Sequence, residues 1–319
     1  MGTDRLRGLR HTRLCPWLAG LLLFVSTPPV FSADAPGLQT DPAFNYRSSR
    51  IPETTRVLKN VPFAETPQGP LTLDLYLPEK PSSAPMPVLV WFHGGGWTGG
   101  TPDEFVPNYL IGQGYAFVGA RYRFSQQALY PAQIHDVKGA IRWVRAHAKE
   151  YDFDSNRIGA IGLSAGGHLV ALLGTTGGVK ELEGDTGGNL EFSSRVEAVC
   201  DMSGPTDFFL LAEDAQRQAL AHRLISQLLG GALEEKKDLA KTAMPATYIS
   251  KSVPPFLIIH GGMDPLLLPS QAEALHKALR KGVADSTLFI VPRAGHVFGG
   301  PVIEGTVLRF FDRHLMKGE

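Results

Sequence analysis

The sequence predicts an α/β fold, a mostly parallel central sheet with helices on both faces and a small helical cap insert. Three observations predict it. Short apolar runs ending in glycine or a polar residue recur along the chain, amphipathic stretches separate them, and 319 residues with 43% hydrophobic content can bury a full core. Strand, helix, strand in this rhythm builds a parallel sheet covered on both sides.

A Pro- and Ser-containing lead-in precedes the first predicted strand, "LTLDLYLP" (71–78), whose period-two alternation suits a half-buried strand. "MPVLVWFHGGG" (86–96) is a continuous apolar run ending in glycines, the pattern of a strand buried on both faces. "YAFVGARY" (115–122), "RIGAIGLS" (157–164), "VEAVCDMS" (196–203), "PPFLIIHGG" (254–262) and "STLFIVP" (286–292) repeat that form. Between them, "PAQIHDVKGAIRWVRAHAKEY" (131–151) carries Ile134, Val137, Ile141, Val144 and Ala148 at helical spacing, with Pro131 suited to a first turn. Residues 206–250 form a long insert with the helical pattern "FFLLAEDAQRQALAHRLISQLL", expected as a cap over the carboxyl ends of the strands, where ligands bind in open α/β sheets.

The N-terminus follows a different logic. Arg5, Arg7, Arg10 and Arg13 precede the apolar run "LCPWLAGLLLFV" (14–25), and small residues follow, so residues 1–32 read as a secretory signal peptide cut near Ser32/Ala33. The apolar run has 12 residues, too short to span a bilayer comfortably. The expectation is a single domain over 33–319, secreted or periplasmic, with no membrane span once the signal is removed. The whole chain balances 31 basic against 31 acidic residues. Removal of 1–32 leaves 27 and 30, a net charge of −3, which offers no electrostatic footprint for nucleic acid. Cys15 leaves with the signal, so Cys200 is alone and reads as a small buried hydrophobe.

Chemistry concentrates at three places. "GLSAG" sets Ser164 between Gly162 and Gly166, after a buried strand and before a helix. In that setting G-x-S-x-G is a nucleophile elbow, with the serine Oγ projecting from the top of the sheet. The Ala165 N–H then sits at a helix N-terminus, able to donate to a developing oxyanion. "HGGGW" (93–97) follows the preceding central strand, and its glycines let backbone N–H groups approach a ligand closely. His93 is read as holding that loop, not as a base. Trp97 could line the pocket or cover the sheet.

A serine hydroxyl needs a base, and the base needs an orienting acid. In this kind of fold the chain order is Ser, then Asp or Glu, then His. "PPFLIIHGGMDPLLLP" delivers Asp264 and "STLFIVPRAGHVFGG" delivers His296, each just past a strand. Asp201, Asp207 and Asp285 are the competing acids, and His260 is a further candidate for the pocket lining. No pair of histidines has zinc-helix spacing, and the phosphate-loop signature is missing, so no metal or other cofactor is expected.

"HGGGW", "GLSAGGH", "HGGMDPLLLP" and "AGHVF", in this order over roughly 55–316, resemble the α/β-hydrolase esterases related to hormone-sensitive lipase, and more closely their secreted bacterial-type branch with feruloyl and acetyl-xylan esterase-like members. The resemblance implies Ser164 as nucleophile, His296 as base and Asp264 as acid, with Gly95, Gly96 and Ala165 as oxyanion donors. "ARYRF" departs from it, since Arg121 stands where such esterases often have an acidic residue before Tyr-Arg. The expected activity is carboxylic-ester hydrolysis through an acyl-enzyme, on short-chain or carbohydrate-linked (acetyl or feruloyl) esters. An amidase or peptidase on the same fold, or a noncatalytic binding protein that keeps it, are the alternatives.

Overall fold

The segment MPVLVWF carries no polar side chain, so a strand built from it needs cover on both faces. In the computed structural model that strand lies in the middle of a sheet and every residue of it is buried. The structure describes residues 50–79, 84–214, 216 and 218–316, all within one compact unit, 31–319. The expected signal segment 1–32 and its cleavage point lie outside the described residues.

In chain order the strands are β1 (Thr55–Ala64), β2 (Leu71–Pro78), β3 (Met86–Phe92), β4 (Ala116–Ala120), β5 (Phe153–Leu163), β6 (Ala198–Met202), β7 (Phe256–Gly261) and β8 (Ser286–Val291). The helices are α1 (Ala132–Ala146), α2 (Ala165–Thr175), α3 (Lys180–Glu183), α4 (Phe208–Glu213), α5 (Gln218–Leu229), α6 (Lys237–Thr242), α7 (Ser270–Lys281) and α8 (Pro301–Leu315). The eight strands are ordered β1-β2-β4-β3-β5-β6-β7-β8. β2 runs antiparallel to β1 and β4, and β4, β3, β5, β6, β7 and β8 run parallel. This is the α/β-hydrolase fold.

Strand periodicity splits the core into two layers. Val88, Val90 and Phe92 join α1, α2 and α7 through Ile141, Leu169 and Leu275. Leu89, Trp91, Ile161 and Leu163 face the other way, onto Phe311 and Leu315 of α8 and Leu110 and Ile111 of the β3–β4 connection. Each fully buried side chain of this size contributes about 1.5–3 kcal/mol relative to exposure. The sheet order also locates the site. From β3 the chain moves outward one way to β4, then returns past β3 to β5 and continues to β8, so the winding reverses between β3 and β5. Open α/β sheets bind ligands at such a reversal, beyond the carboxyl ends of the strands.

Two elements differ from expectation. β1 lies in the segment read as a lead-in. Its exposed positions include Arg56, Lys59 and Asn60, and register shifts interrupt its pairing with β2, one of them at the left-handed Asn60 (φ 56°). An edge strand is held by one neighbour's backbone, so neither its side-chain alternation nor its Pro62 needs to satisfy a second.

The cap insert is the second. Its apolar run divides into α4 and α5, followed by α6 and a 3-10 turn at Pro245–Tyr248. It packs at the carboxyl end: the Tyr130 N–H donates to Leu228 O (2.9 Å), the Tyr130 hydroxyl donates to Thr242 O (2.6 Å), and Phe208 meets the Trp97 and His168 rings.

Asp207, one of the competing acids, caps α4: its Oδ1 accepts from the N–H groups of Phe209 and Leu210, both at 3.0 Å. Asp207→Ala should lower unfolding stability by about 0.5–2 kcal/mol in a denaturant titration and leave any hydrolytic activity of the folded protein intact.

Candidate active site

The site begins with a steric problem at the end of β5. Ser164 has φ 56° and ψ −119°, a conformation that costs a non-glycine residue strain and persists only when its surroundings impose it. A Cβ on Gly162 would collide with Gly166 O, and one on Gly166 with the carbonyls of Phe92 and His93. The elbow therefore forms only with glycine on both sides of the serine. Its exit is fixed by the Ser164 N–H, which donates to Met202 O at 2.8 Å, and α2 starts at the next residue.

The loop after β3 presses against this turn. A Cβ on Gly94 would lie 3.2 Å from Ser164 Cβ. Gly95 and Gly96 both take left-handed φ values, 113° and 60°, and Gly95 O accepts from the Thr98 N–H at 3.0 Å. Among the described residues, the backbone N–H groups of Gly95, Gly96 and Ala165 have no hydrogen-bond acceptor. Backbone N–H groups without an acceptor are uncommon in packed protein, and here they stand at the residue after the strained serine and in the loop whose Gly94 packs on it.

Two buried histidines hold this loop. The His93 ring stacks on Tyr122 with centroids 4.6 Å apart, its Nδ1 lies 2.8 Å from Gly94 O, and the Tyr122 hydroxyl donates to His93 O at 2.9 Å. Burial pushes the His93 imidazole down to about 4, so the ring is neutral and the Nδ1–H donates to Gly94 O. His168, on α2, was not singled out from the sequence. Its Nδ1 accepts from Trp97 Nε1 at 3.2 Å and its Nε2–H donates to Ala243 O at 2.7 Å, tying the loop after β3, the elbow helix and the insert together. Burial lowers it to about 4 as well. Its place two residues past the elbow glycine Gly166 was the available signal.

On the far side, the turns after β7 and β8 bring Asp264 and His296 together. His296 Nδ1 lies 2.7 Å from Asp264 Oδ2, and Asp264 Oδ1 accepts from the Leu266 and Leu267 N–H groups at 2.8 and 2.9 Å. Burial alone would raise the Asp264 carboxyl, but the charge of His296 and hydrogen bonds from His260 and His296 outweigh it, holding it well below the usual carboxylate range. Ser164 Oγ has no hydrogen-bond partner among the described residues, so the Ser164–His296 link is open in this structure. Leu163 and Val297, the chain neighbours of the serine and the histidine, line one cavity together with Trp91, Phe105, Met202 and Phe298.

The structure places two expected pocket residues elsewhere. Trp97 is 1% exposed and His260 fully buried. Trp97 is turned inward by its bond to His168, and His260 sits behind Asp264, its Nε2 3.3 Å from Asp264 Oδ2. The cavity's aromatic lining includes Trp91, Phe105 and Phe298, on the opposite layer of the core: strand parity turns Trp91 of β3 that way, and Phe105 and Phe298 come from the loops after β3 and β8. Arg121 reaches sideways to β2, its Nε donating to Thr72 Oγ1 at 3.1 Å, while Arg123 grips buried Asp136. The departure at 121 thus lies on the strand edge.

Comparison with known proteins agrees with this architecture. Residues 73–279 match the BD-FAE family. The chain belongs to that family. It is similar to the esterase LipC of Mycobacterium tuberculosis, 30% identical over 71% of this chain and 56% of LipC. The chain spans about half the length of the curated relatives it matches. Among solved structures it is similar to a truncated carbohydrate esterase from gut microbiota, with TM-score 0.75, 30% identity, and coverage of 83% of this chain and 98% of that one. It is also similar to the thermophilic esterase Est2 of Thermogutta terrifontis, with TM-score 0.65, 25% identity, and coverage of 84% and 96%. The described residues are thus an α/β-hydrolase domain of the esterase type.

Asp201, another competing acid, is fully buried on β6. Burial pushes its carboxyl up to about 7, against the opposing pull of His260 and the Gly204 N–H. The folded state therefore holds this proton from about pH 4 to about pH 7, where the unfolded chain has released it, and stability falls as pH rises through that window. Asp201→Asn removes this dependence. Its stability relative to the parent should rise by up to about 4 kcal/mol between pH 4 and 8, read as diverging urea midpoints.

Proposed function

We propose that the protein is a serine carboxylic-ester hydrolase working through Ser164, His296 and Asp264. The observation that carries the reading is the strained Ser164, followed by the Ala165 N–H and packed against the loop of Gly95 and Gly96, whose N–H groups, like that of Ala165, have no acceptor among the described residues. An ester oxygen that gains charge during attack is the ligand such donors suit.

In this reading His296 Nε2 takes the Ser164 proton as Oγ attacks the ester carbonyl, and the buried Asp264 carboxylate keeps the other ring nitrogen protonated and stabilises the imidazolium. Gly95, Gly96 and Ala165 donate to the oxyanion. His296 then protonates the leaving alcohol, and a water activated by the same ring releases the acid from the acyl-enzyme. The Ser164–His296 bond, open in the free protein, closes when substrate is bound.

The substrates we propose are short-chain or carbohydrate-linked esters, acetyl or feruloyl. What supports this is the apolar cavity beside Leu163 and Val297, together with the likeness to a carbohydrate esterase. Ser164→Ala should fold and lose hydrolysis of a short-chain aryl ester by about 10,000-fold or more. With the parent enzyme, a series from acetate to dodecanoate, with acetylated xylan and methyl ferulate alongside, should favour the short acyl chains or the carbohydrate-linked esters. Full turnover by the alanine variant would end the triad reading, and a dodecanoate preference would end the substrate reading alone.

We also propose export through residues 1–32, supported by the basic segment and the apolar run that follows it. N-terminal sequencing of the protein recovered outside the cytoplasm should begin near Ala33; a chain recovered there still carrying residue 1 would overturn the cleavage.

A further inference from the structure

His260 has no role in the mechanism above, yet it is fully buried, and a buried imidazole is kept only where its polar atoms find use. Its Nε2 lies 3.0 Å from Leu267 O and 3.3 Å from Asp264 Oδ2. A carbonyl and an ionised carboxylate both accept, so Nε2 carries the proton. Among the described residues its Nδ1 has no partner, so the hydrogen bonding of the ring is directed at Asp264 and the turn after it.

We propose that His260 is a positioning residue for the triad: its Nε2–H holds Asp264 Oδ2 in line with His296 Nδ1. This rests on the triad reading above. Two backbone N–H groups fix Oδ1, from Leu266 and Leu267, and two imidazoles meet at Oδ2, with His296 at 2.7 Å. The Oδ1 contacts anchor one corner of the carboxylate; the His260 contact resists its rotation about that corner. The same N–H also reaches Leu267 O, fastening the 264–267 turn to β7. The spacing is what makes this possible, because His260 is the penultimate residue of β7 and Asp264 follows after a two-glycine turn that doubles back. Gly261 and Gly262 permit it, as a Cβ at either would collide with the backbone of Ala294–Gly295 or Pro292.

The test uses His260→Gln, His260→Asn and His260→Leu in the full-length enzyme. A Gln amide nitrogen falls where Nε2 stood, whereas an Asn amide nitrogen falls near Nδ1 and cannot reach Asp264. On a short-chain aryl ester the Leu and Asn variants should lose about 10–100-fold in kcat, the loss expected for a hydrogen bond to a charged group, with KM held within about twofold. The Gln variant should recover most of kcat. Equal kcat in the three variants, or a folded Leu or Asn variant with parental kcat, overturns the proposal. If Leu and Asn fail to fold, a folded Gln variant decides: kcat near the parent's sustains the role, and the full 10–100-fold loss overturns it. Ser164→Ala and Asp264→Asn run in parallel keep the two readings apart. Turnover that survives Ser164→Ala defeats the triad itself, while inactive Ser164 and Asp264 variants beside unaffected His260 variants defeat only the positioning role.

Discussion

The close approach of two backbones, the turn after β3 and the elbow after β5, sets the geometry of everything above the sheet. β3 and β5 are hydrogen-bonded neighbours, so their exits emerge side by side where the winding of the sheet reverses. Gly166 packs on the carbonyls of Phe92 and His93, and Gly94 packs on Ser164. Any side chain at these points would separate the loops and move the turn that carries Gly95 and Gly96 away from the serine and the Ala165 N–H beside it. The strain at Ser164 is the local consequence, and the surrounding packing sustains it.

Around that contact, burial decides the charge state of each polar group. His93 and His168 are enclosed, with no carboxylate hydrogen-bonded to either ring among the described residues, and burial keeps them neutral; they serve as fixed connectors between backbone carbonyls and rings. Asp264 is also enclosed, but backbone N–H groups and two imidazoles compensate its charge, so it stays ionised. Asp201 has the Gly204 N–H on one oxygen and, among the described residues, no partner on the other, and burial pushes its carboxyl up to about 7. The same residue types take different roles because desolvation and donor count differ at each place.

The insert contributes cover more than chemistry. α5 sets Leu224 against Gly96, and the insert's Ala243 carbonyl closes the chain of bonds from Trp97 through His168. The loop after β3 is thereby held from above by packing and from the side by the elbow helix. Below it the cavity lies on the other core layer, between α8 and the β3–β4 connection, where its apolar walls belong to the fold itself.

By itself the sequence determined what depends on neighbours along the chain. Glycines two residues either side of Ser164, the glycine run after His93, and Asp264 and His296 each just past an apolar run are local patterns, because a tight turn imposes its residue types directly. The parallel rhythm of strands and helices was legible for the same reason. Chain order already favoured Asp264 over Asp201 and Asp207, and the tertiary structure supplied the physical difference: one acid meets His296, another is enclosed under α2, and the third caps α4. It also turned Trp97 and His260 inward, brought His168 into contact with the insert, and made β1 a strand through pairing with β2. Those outcomes depend on which strands are adjacent and which face of each is covered, and register and packing across the fold set both.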